Sequence, residues 1–500
     1  MGMTDKMTSI LDFGAVPDGA TLCTTAFAAA VKACSAAGGG TVLVPPGTFY
    51  TGPIHLASNI TLLIEAGARI LFSTDPADFP VVRSRWEGVD GPVYSPLIYG
   101  RGLHQVTITG RGVLDGQGEP WWQRHRQNRL AYPRPCFIGL DNCVNVLIEG
   151  ITLINSPAWT VHPVACENVT VDHISIQNPP SAPNTDGINP DSCQNVRIAN
   201  CQIDVGDDCV TLKSGTEACS EQSPCANITI TNCTMVHGHG GVVIGSEMSG
   251  GVRNVTISNC VFEGTDRGIR LKSRRGRGGV IEDVRVNNII MKNVICPIVM
   301  HLYYHCGPGG DEPLVSDKNL QPLTEKTPVV RRIHLSNITA REVRSAAIFL
   351  YGLPEAPIAG VTLDHIAIHL AAAAEPEYPA MMTGLQPMAK QGALCCNVRD
   401  LLFDHVTILN QDGVAFRIEN AAGVELVGCA TADSDAALPV IQLAQSSQVA
   451  IHGSRLDAGR TCLLELQGPA NRQIELFANS RSIGAAAIRF SDGATDAALV

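Results

Sequence analysis

The sequence predicts an all-β protein, a right-handed parallel β-helix with a short N-terminal capping helix. Three observations predict it: a repeat of 23 to 32 residues, alternating apolar and polar residues inside each repeat, and no helix between repeats. Alternation at period two indicates strands, and short strands in such repeats are typical of a β-solenoid. A β-propeller needs blades of about 40–45 residues, and leucine-rich repeats need a leucine ladder, which is absent from this sequence.

The clearest helix of the chain lies near its N-terminus. Residues 24–39, TTAFAAAVKACSAAGG, begin with threonine and end in glycines, as helix boundaries often do. A solenoid needs its open ends covered. We therefore expect this helix to cap the first coil, within a cap of about residues 8–45.

The coils themselves are expected over about residues 50–465. Each repeat begins with Asn or Asp, and the clearest of these anchors are Asn145, Asn168, Asn195, Asn227, Asn254 and Asp283. The position six residues after each anchor is apolar, as an inward-facing stack requires; it holds Ile151, Ile174, Cys201, Cys233, Cys260 and Ile289. The repeats degrade after about residue 465, so residues 466–500 are predicted as terminal rungs and a tail of a single domain, 1–500.

Composition and charge exclude several kinds of partner. The chain is 45% apolar and 17% charged with a net charge of −11, so its surface should attract neither nucleic acid nor an anionic membrane. No apolar run reaches the roughly 18 residues of a membrane span, and the N-terminus lacks a signal-peptide pattern. We therefore expect a cytoplasmic protein. Its eighteen cysteines are expected as reduced thiols, with Cys219 and Cys225 as the best candidates for a disulfide.

A cluster of acidic residues is predicted on neighbouring coils. Asp186 in NTDG precedes the adjacent Asp207 and Asp208 in GDDC by 21 and 22 residues, about one coil. Strands on successive coils lie about 4.8 Å apart, so the three carboxylates should meet unless they are solvated turn residues. A glycosidase needs such a pair: one carboxylic acid protonates the leaving oxygen and one carboxylate activates water.

The next two coils extend this column with basic residues. GHG contains His239, and RGIRLKS contains Arg270 and Lys272, which suit the carboxylate of an anionic sugar. The alternatives are an incidental loop histidine and the wet face of a strand. The six positive charges of residues 267–277 predict either a soluble loop or a funnel for a polyanion. A hard-cation site made of the three aspartates and His239 is the weaker interpretation, so no metal or other cofactor is expected.

NTDG, GDDC, GHG and Arg-x-Lys, in this order and spacing, resemble the polygalacturonases of glycoside hydrolase family 28. The resemblance extends from about residue 10, in DFGAVPDG, through GVLDGQGEPWW to beyond Tyr304. It implies a parallel β-helix that hydrolyses α-1,4-galacturonan with inversion and without a metal. The expected substrate is a galacturonate oligosaccharide or a pectic polysaccharide.

The resemblance also implies a role for each catalytic candidate. Asp207 is the implied general acid. Asp186 and Asp208 are implied to hold and activate the attacking water. His239 is implied to support the acid and the substrate near the cleaved bond.

For the substrate-binding candidates, the resemblance implies that Arg270 and Lys272 bind the galacturonate carboxylate. Tyr304 is implied to contact the substrate, with Tyr303 as its rival. The phrases NTDGINPDSC, IGSEMSGGV and RGRGG are closer to bacterial exo-acting members. Exo-action is therefore expected, with a cleft closed at one end by residues 78–100 or 304–328.

Two alternative functions remain open at this point. The first is a pectate-lyase-like β-helix enzyme that depends on Ca²⁺. The second is a non-catalytic solenoid that binds glycans, which has no need to align acids and bases on consecutive coils.

Overall fold

The computed structural model describes residues 7–219, 221–454, 460–479 and 488–500. Residues 1–6 of the N-terminal segment and 480–487 of the predicted tail lie outside the described residues. Contacts divide the chain into two compact units, residues 1–239 with 250–252, and residues 240–249 with 253–500. The prediction of a single domain stays a prediction.

The first unit stacks parallel strands coil on coil. Two continuous ladders run through it, one from Met7–Ser9 to Cys225–Thr231 and one from Asp18–Leu22 to Thr234–His237. A third ladder runs from Ile54–His55 to Val161–Val164 and continues as single bridges at Ile188 and Val210. The predicted two or three short strands per coil are thus present.

The strands of the first unit are Met7–Ser9, Asp18–Leu22, Gly40–Val44, Gly47–Thr51, Ile54–His55, Ile60–Ile64, Ala68–Phe72, Val81–Trp86, Val89–Tyr94, Ile98–Arg101, His104–Gly110, Val113–Asp115, Ile138–Asp141, Val144–Glu149, Thr152–Ile154, Val161–Val164, Glu167–Asp172, Ser175–Gln177, Gln194–Ala199, Gln202–Val205, Val210–Leu212, Cys225–Thr231 and Thr234–His237. Its helices are Thr24–Ala36 and Glu119–Arg126, with 3₁₀ turns at Ile10–Phe13 and Pro76–Asp78.

The predicted capping helix is present and begins at Thr24. Its buried side chains are Ala26, Phe27, Ala30, Val31 and Cys34, which form one face of a 3.6-residue period. The Thr24 hydroxyl accepts a hydrogen bond from the Gly52 N–H at 2.7 Å instead of capping its own helix. The helix Glu119–Arg126 was not predicted; its tryptophans, Trp121 and Trp122, are buried.

The recurring asparagine of the repeat has a backbone reason. Asn145, Asn168, Asn195 and Asn227 all have φ between 57° and 61°, the left-handed region that Asn tolerates better than most residues. Their side chains also bond from coil to coil: Asn168 Nδ2 donates to Asn145 Oδ1 at 3.1 Å, and Asn227 Nδ2 donates to Asn195 Oδ1 at 3.0 Å. The anchor therefore turns the chain at each coil and links neighbouring turns.

The predicted inward column is buried. In the first unit Ile151, Ile174, Cys201 and Cys233 are all 0–2% exposed. In the second unit the corresponding Cys260 and Ile289 are each 1% exposed. A column of similar apolar size can stack without voids, which is what holds successive coils in register.

The second unit is also built of parallel strands. One ladder runs from Val242–Ile244 through Arg267–Lys272, and another runs from Val280–Lys292 to Phe416–Val427. The predicted fold class, a right-handed parallel β-helix, is confirmed. Among the described residues, no helix has the length and apolar character needed to cross a membrane.

The strands of the second unit are Val242–Ile244, Val252–Glu263, Arg267–Lys272, Val280–Lys292, Cys296–His301, Val329–Val343, Ala346–Tyr351, Ile358–Leu370, Gln391–Leu409, Phe416–Val427, Ala430–Ala432, Ile441–Ala444, Ser447–His452, Leu464–Gln467, Arg472–Phe477 and Ile488–Ser491. Its helical turns are Pro313–Ser316 and Asp496–Ala498.

Candidate active site

Parallel pairing brings the predicted acidic residues together in the first unit. Ile188 pairs with Val210, an offset of 22 residues. The same offset places Asp186 beside Asp208, and the N–H of the intervening Gly187 donates to the Asp208 carbonyl at 3.0 Å. A Cβ on Gly187 would lie 2.4 Å from a backbone carbonyl oxygen of the next coil. Glycine is therefore required after Asp186 for the two coils to approach this closely.

Three carboxylates converge at this point. Asp186, Asp207 and Asp208 each offer one oxygen, and the three oxygens lie within 4.8 Å of one another. At that spacing one water molecule between them can hydrogen-bond to all three. Asp186 and Asp208 are buried, whereas the Asp207 side chain is 19% exposed. Asp207 is thus the carboxyl most open to a substrate.

The histidine of GHG lies against Asp207. His239 Nδ1 is 3.1 Å from Asp207 Oδ1, and the His239 backbone N–H donates to the Asp207 carbonyl at 3.2 Å. The Asp208 N–H donates to the same Oδ1 at 2.9 Å. Gly238 has φ of 76°, and a Cβ there would lie 2.3 Å from the Asp207 carbonyl oxygen. The glycine before the histidine therefore permits the contact with Asp207.

The Asn-Thr before Asp186 shapes the loop that carries it. The buried Thr185 hydroxyl accepts the Gly206 N–H at 3.3 Å, which ties this loop to the turn before Asp207. Asn184 has φ of 52°, and its Oδ1 accepts a hydrogen bond from Arg134 at 2.6 Å. Both residues therefore position the aspartate.

Lys213 is a candidate that the sequence analysis missed. Its Nζ lies 3.9 Å from Asp186 Oδ2, and the two side chains are only 5% and 4% exposed. The same Nζ lies 4.6 Å from the centre of the Trp159 ring. A buried ammonium beside a carboxylate favours the ionised carboxylate. The one sequence signal was a lone lysine in the apolar stretch CVTLK directly after the aspartate pair.

An antiparallel hairpin, Val81–Trp86 with Val89–Tyr94, packs beside this cluster. Its tip residue Trp86 stacks on Trp159, with ring centres 4.6 Å apart and planes 25° apart. Trp159 also contacts Lys213, which neighbours Asp186. The Trp159 ring therefore lies between the hairpin tip and this lysine.

A buried ion pair fastens the hairpin to the coils. Arg85 Nη1 donates to Asp191 Oδ1 at 2.8 Å, and its Nε donates to Asp90 at 3.0 Å. Burial raises the pKa of the Asp191 carboxyl, but the neighbouring His162 and the Arg85 charge outweigh it and lower this pKa to about 2. The pair therefore stays charged at neutral pH.

In the second unit, the predicted basic residues lie on the strand Arg267–Lys272. Arg270 and Lys272 alternate with the buried Ile269 and Leu271, yet they are themselves only 1% and 6% exposed. The alternative that they form the wet face of a strand is therefore wrong. Arg270 Nη2 lies 2.9 Å from Met381 Sδ, so a later segment of the chain covers it.

The structure distinguishes between the two candidate tyrosines. The Tyr304 ring centre lies 5.9 Å from the Arg270 guanidinium and 5.1 Å from Lys272 Nζ. Tyr303 is fully buried and instead faces Lys318, at 3.3 Å. Of the two tyrosines, the predicted Tyr304 is therefore the one that lies beside Arg270 and Lys272.

His301 is a buried histidine beside the same strand. It pairs in register with Lys272 and is 1% exposed. Burial, followed by the charges of Arg270, Arg267 and Lys272, holds the pKa of its imidazole well below 6.5. The ring is therefore neutral at physiological pH.

Arg274 and Arg275, in the same segment 267–277, are buried and bonded within the second unit. Arg275 pairs with Glu355 at 2.6 Å and also donates to the Leu314 and Asn319 carbonyls. Arg274 donates to the Pro308 carbonyl at 2.8 Å. The soluble-loop interpretation of this segment is wrong, since these arginines are buried and hold the segment 304–328 in place.

Comparison with known proteins identifies the family. The family model of glycosyl hydrolases family 28 matches residues 34–377, which include all seven predicted site residues. The chain belongs to glycosyl hydrolase family 28. The matched span is most of the chain, so the resemblance carried by the four short motifs is confirmed.

Relatives of this family 28 chain include exo- and endo-acting enzymes. A probable polygalacturonase of Vitis vinifera is 38% identical over 73% of this chain and 75% of its own length. An endo-polygalacturonase of Pectobacterium carotovorum is 32% identical over 56% of this chain and 71% of its own length. A solved exopolygalacturonase of Thermotoga maritima is 33% identical, covers 81% of this chain and 92% of its own, and has a TM-score of 0.68.

The thiols of the family 28 chain contribute no disulfide. All eighteen cysteines lie within the described residues and are free. Cys219, one of the two disulfide candidates, donates to Asp90 Oδ2 and to the Glu221 carbonyl, whereas Cys225 donates to the Pro190 carbonyl. The candidate pair is therefore not a disulfide, and the expectation of reduced thiols is met.

The predicted residues thus form two sets, one in each unit. Asp186, Asp207, Asp208 and His239 meet in the first unit, and Arg270, Lys272 and Tyr304 meet in the second. That all seven share one column stays a prediction, as do their individual roles.

Proposed function

We propose that this chain hydrolyses α-1,4-galacturonosidic bonds in polygalacturonate or its oligosaccharides, with inversion at the anomeric carbon. The observation that carries the proposal is the convergence of three carboxylates within 4.8 Å, with a buried lysine 3.9 Å from one of them. Polygalacturonases among the relatives support the substrate class.

In the proposed reaction, protonated Asp207 gives its proton to the glycosidic oxygen as the bond from that oxygen to C1 breaks. A water molecule held by Asp186 and Asp208 attacks C1 from the opposite face and gives its proton to one of them. One water is consumed and one new C1–OH forms. Exchange with solvent then returns a proton to Asp207 and removes one from the base.

The short distances between the three carboxylates support a water molecule shared among them, rather than a base far from the acid. Inverting glycosidases commonly hold their two carboxyl groups about 6.5–9.5 Å apart, and retaining ones about 5–5.5 Å apart. The oxygens here are closer than the inverting range, within 4.8 Å. We propose inversion because Asp186 and Asp208 are both buried and, together with Asp207, offer oxygens close enough to share one water molecule.

Arg270 and Lys272 are proposed to bind the carboxylate of a galacturonate residue. A guanidinium binds a carboxylate through two parallel hydrogen bonds, and an ammonium adds a compact charge. The Tyr304 ring, 5.1 Å from Lys272, is proposed to pack against the sugar. His301 stays neutral there and so adds no charge to the site.

Exo-action is proposed from the hairpin Val81–Tyr94. Its tip places Trp86 against Trp159, and Arg85 fixes it through the buried Asp191. We propose that this hairpin forms a wall that leaves room for a chain end on the side of Asp186 and obstructs a continuing polymer. The alternative barrier is the segment 304–328, which Arg275 holds through the Leu314 and Asn319 carbonyls.

Product analysis on defined galacturonate oligomers tests this function. We expect new reducing ends without ultraviolet-absorbing double bonds, undiminished by a chelator, and one short product throughout digestion. Chelator sensitivity with a double bond would instead indicate a lyase, and early mid-chain products would refute exo-action. Asp207→Asn should abolish turnover and keep oligogalacturonate binding; a wild-type chain that binds without turnover would indicate a glycan-binding solenoid.

A second experiment tests the wall itself. Trp86→Ala removes the ring at the hairpin tip, and we expect longer products to appear among the short ones. Val81→Ala is the matched control, since Val81 is exposed at the base of the same hairpin. An unchanged product pattern in Trp86→Ala would contradict the proposed barrier.

A further inference from the structure

A basic pocket in the first unit lies beside the hairpin tip Trp86. Its cavity measures about 280 Å³, and its walls include Trp86, His125, Asn128, Tyr132 and Arg134. That volume is just below the range of about 300–1,000 Å³ usual for drug-sized ligands. It suits one sugar ring with its carboxylate and is too small for a chain.

The segment that forms the pocket is strongly basic in an acidic protein. Residues 120–140 contain no Asp or Glu, whereas the whole chain has a net charge of −11. The basic residues of the segment are Arg124, His125, Arg126, Arg129 and Arg134. A local positive field of this kind attracts anionic ligands.

Arg134 is a buried cation whose hydrogen bonds, among the described residues, go to neutral acceptors. It is 2% exposed, and its guanidinium donates to neutral acceptors, the Pro157 and Pro183 carbonyls and Asn184 Oδ1, at 3.0, 2.7 and 2.6 Å. Its Nε has no hydrogen-bond partner among the described residues. Burial lowers its pKa to about 10, although the nearby Glu87 and Asp186 carboxylates oppose this shift. A buried charge is costly unless opposite charge compensates it, and because the net pKa stays lowered, an anion in the pocket would stabilise the guanidinium further.

The pocket adjoins the carboxylate cluster. Arg134 bonds to Asn184, two residues before Asp186. Trp86 lines the pocket and stacks on Trp159, whose ring contacts Lys213. A substrate residue in this pocket would therefore lie on the hairpin side of the acids.

We propose that the pocket binds the uronate residue at the walled end of the substrate, with its carboxylate drawn to the basic segment. Tyr132 and Trp86 supply aromatic surface against which a sugar ring can pack. This proposal rests on the proposed hydrolysis of galacturonan, and it adds a subsite for a uronate carboxylate in the first unit.

The test places a charge in the pocket wall. Ala131 is exposed and lines the pocket, so Ala131→Asp adds a carboxylate there and Ala131→Asn adds the same shape without charge. In Asp207→Asn protein, titration calorimetry with trigalacturonate should show affinity weakened about tenfold or more by Ala131→Asp and about twofold or less by Ala131→Asn. His125→Glu and His125→Gln repeat the comparison on an exposed helix residue.

Equal affinities within both pairs would overturn the proposal. If wild type hydrolyses galacturonan and the Asp207→Asn protein binds trigalacturonate, that result overturns the pocket alone. If wild type neither hydrolyses nor binds any galacturonate, the proposed function fails and the pocket proposal with it. Thermal unfolding of each variant shows that lost affinity is not lost fold.

Discussion

Replacing Lys213 by methionine tests the electrostatic basis of the carboxylate cluster. Methionine keeps much of the packing against Trp159 but removes the charge 3.9 Å from Asp186. Two unit charges at this distance attract by about 4 kcal/mol at an effective dielectric constant of about 20. One pKa unit corresponds to about 1.4 kcal/mol, so this attraction could lower a carboxyl pKa by at most about 3 units. An opposite charge nearby usually lowers a carboxyl pKa by about 1–3 units.

The expected result follows in the pH dependence of hydrolysis. Without Lys213 the ionised form of Asp186 is disfavoured, so the acidic limb of kcat against pH should move to higher pH by about 1–3 units. Lys213→Arg keeps the charge and should stay close to wild type. If the acidic limb is unchanged in Lys213→Met, or shifts equally in both variants, the Lys213 charge does not stabilise the ionised Asp186 and the reasoning is refuted.

Three further predictions concern the second unit, the thiols and the pH dependence of stability. Arg270→Gln should lower kcat/KM on galacturonate oligomers about 10- to 100-fold, because a hydrogen bond to a charged group contributes about 1.5–3 kcal/mol. Arg399→Gln, at an exposed position, is the control. Equal kcat/KM values for Arg270→Gln and wild type would show that Arg270 does not bind the substrate. A reducing agent should leave the thermal unfolding midpoint unchanged because the eighteen cysteines are free; a lowered midpoint would reveal a disulfide. Burial and the neighbouring cations depress the folded-state pKa of His301 below 6.5, so the unfolded chain binds more protons below that pH and the free energy of unfolding should fall as pH drops below about 6.5. His301→Gln should flatten that slope in denaturant titrations across this pH range, and an unaltered slope would contradict the assignment.

The repeat made most of the fold predictable. Asn145 and its equivalents mark each turn because their left-handed backbone recurs at every coil, and period-two alternation between them marks the strands. The same arithmetic located Asp186 against Asp208, since one coil of parallel strand separates them. These features are local or periodic, and a single sequence displays both kinds.

The residues that were missed lack any periodic signal. Trp86 and Trp159 meet across 73 residues because an antiparallel hairpin folds back onto the coils. Arg134 belongs to the segment after an unpredicted helix, and its bonds reach the loop before Asp186. The burial of Arg275 was also unpredictable, because its partner Glu355 lies 80 residues away. Side chains brought together by insertions between coils depend on tertiary structure alone.

The anomeric configuration of the first product tests the central claim most directly. If Asp186 and Asp208 hold the water that attacks C1 while Asp207 protonates the leaving oxygen, each α-linkage is cut in a single displacement. Proton NMR during early hydrolysis of a galacturonate oligomer should then show the β-anomer first, followed by mutarotation. An initial α-anomer would contradict the account, because it would require a covalent intermediate on one of the three aspartates.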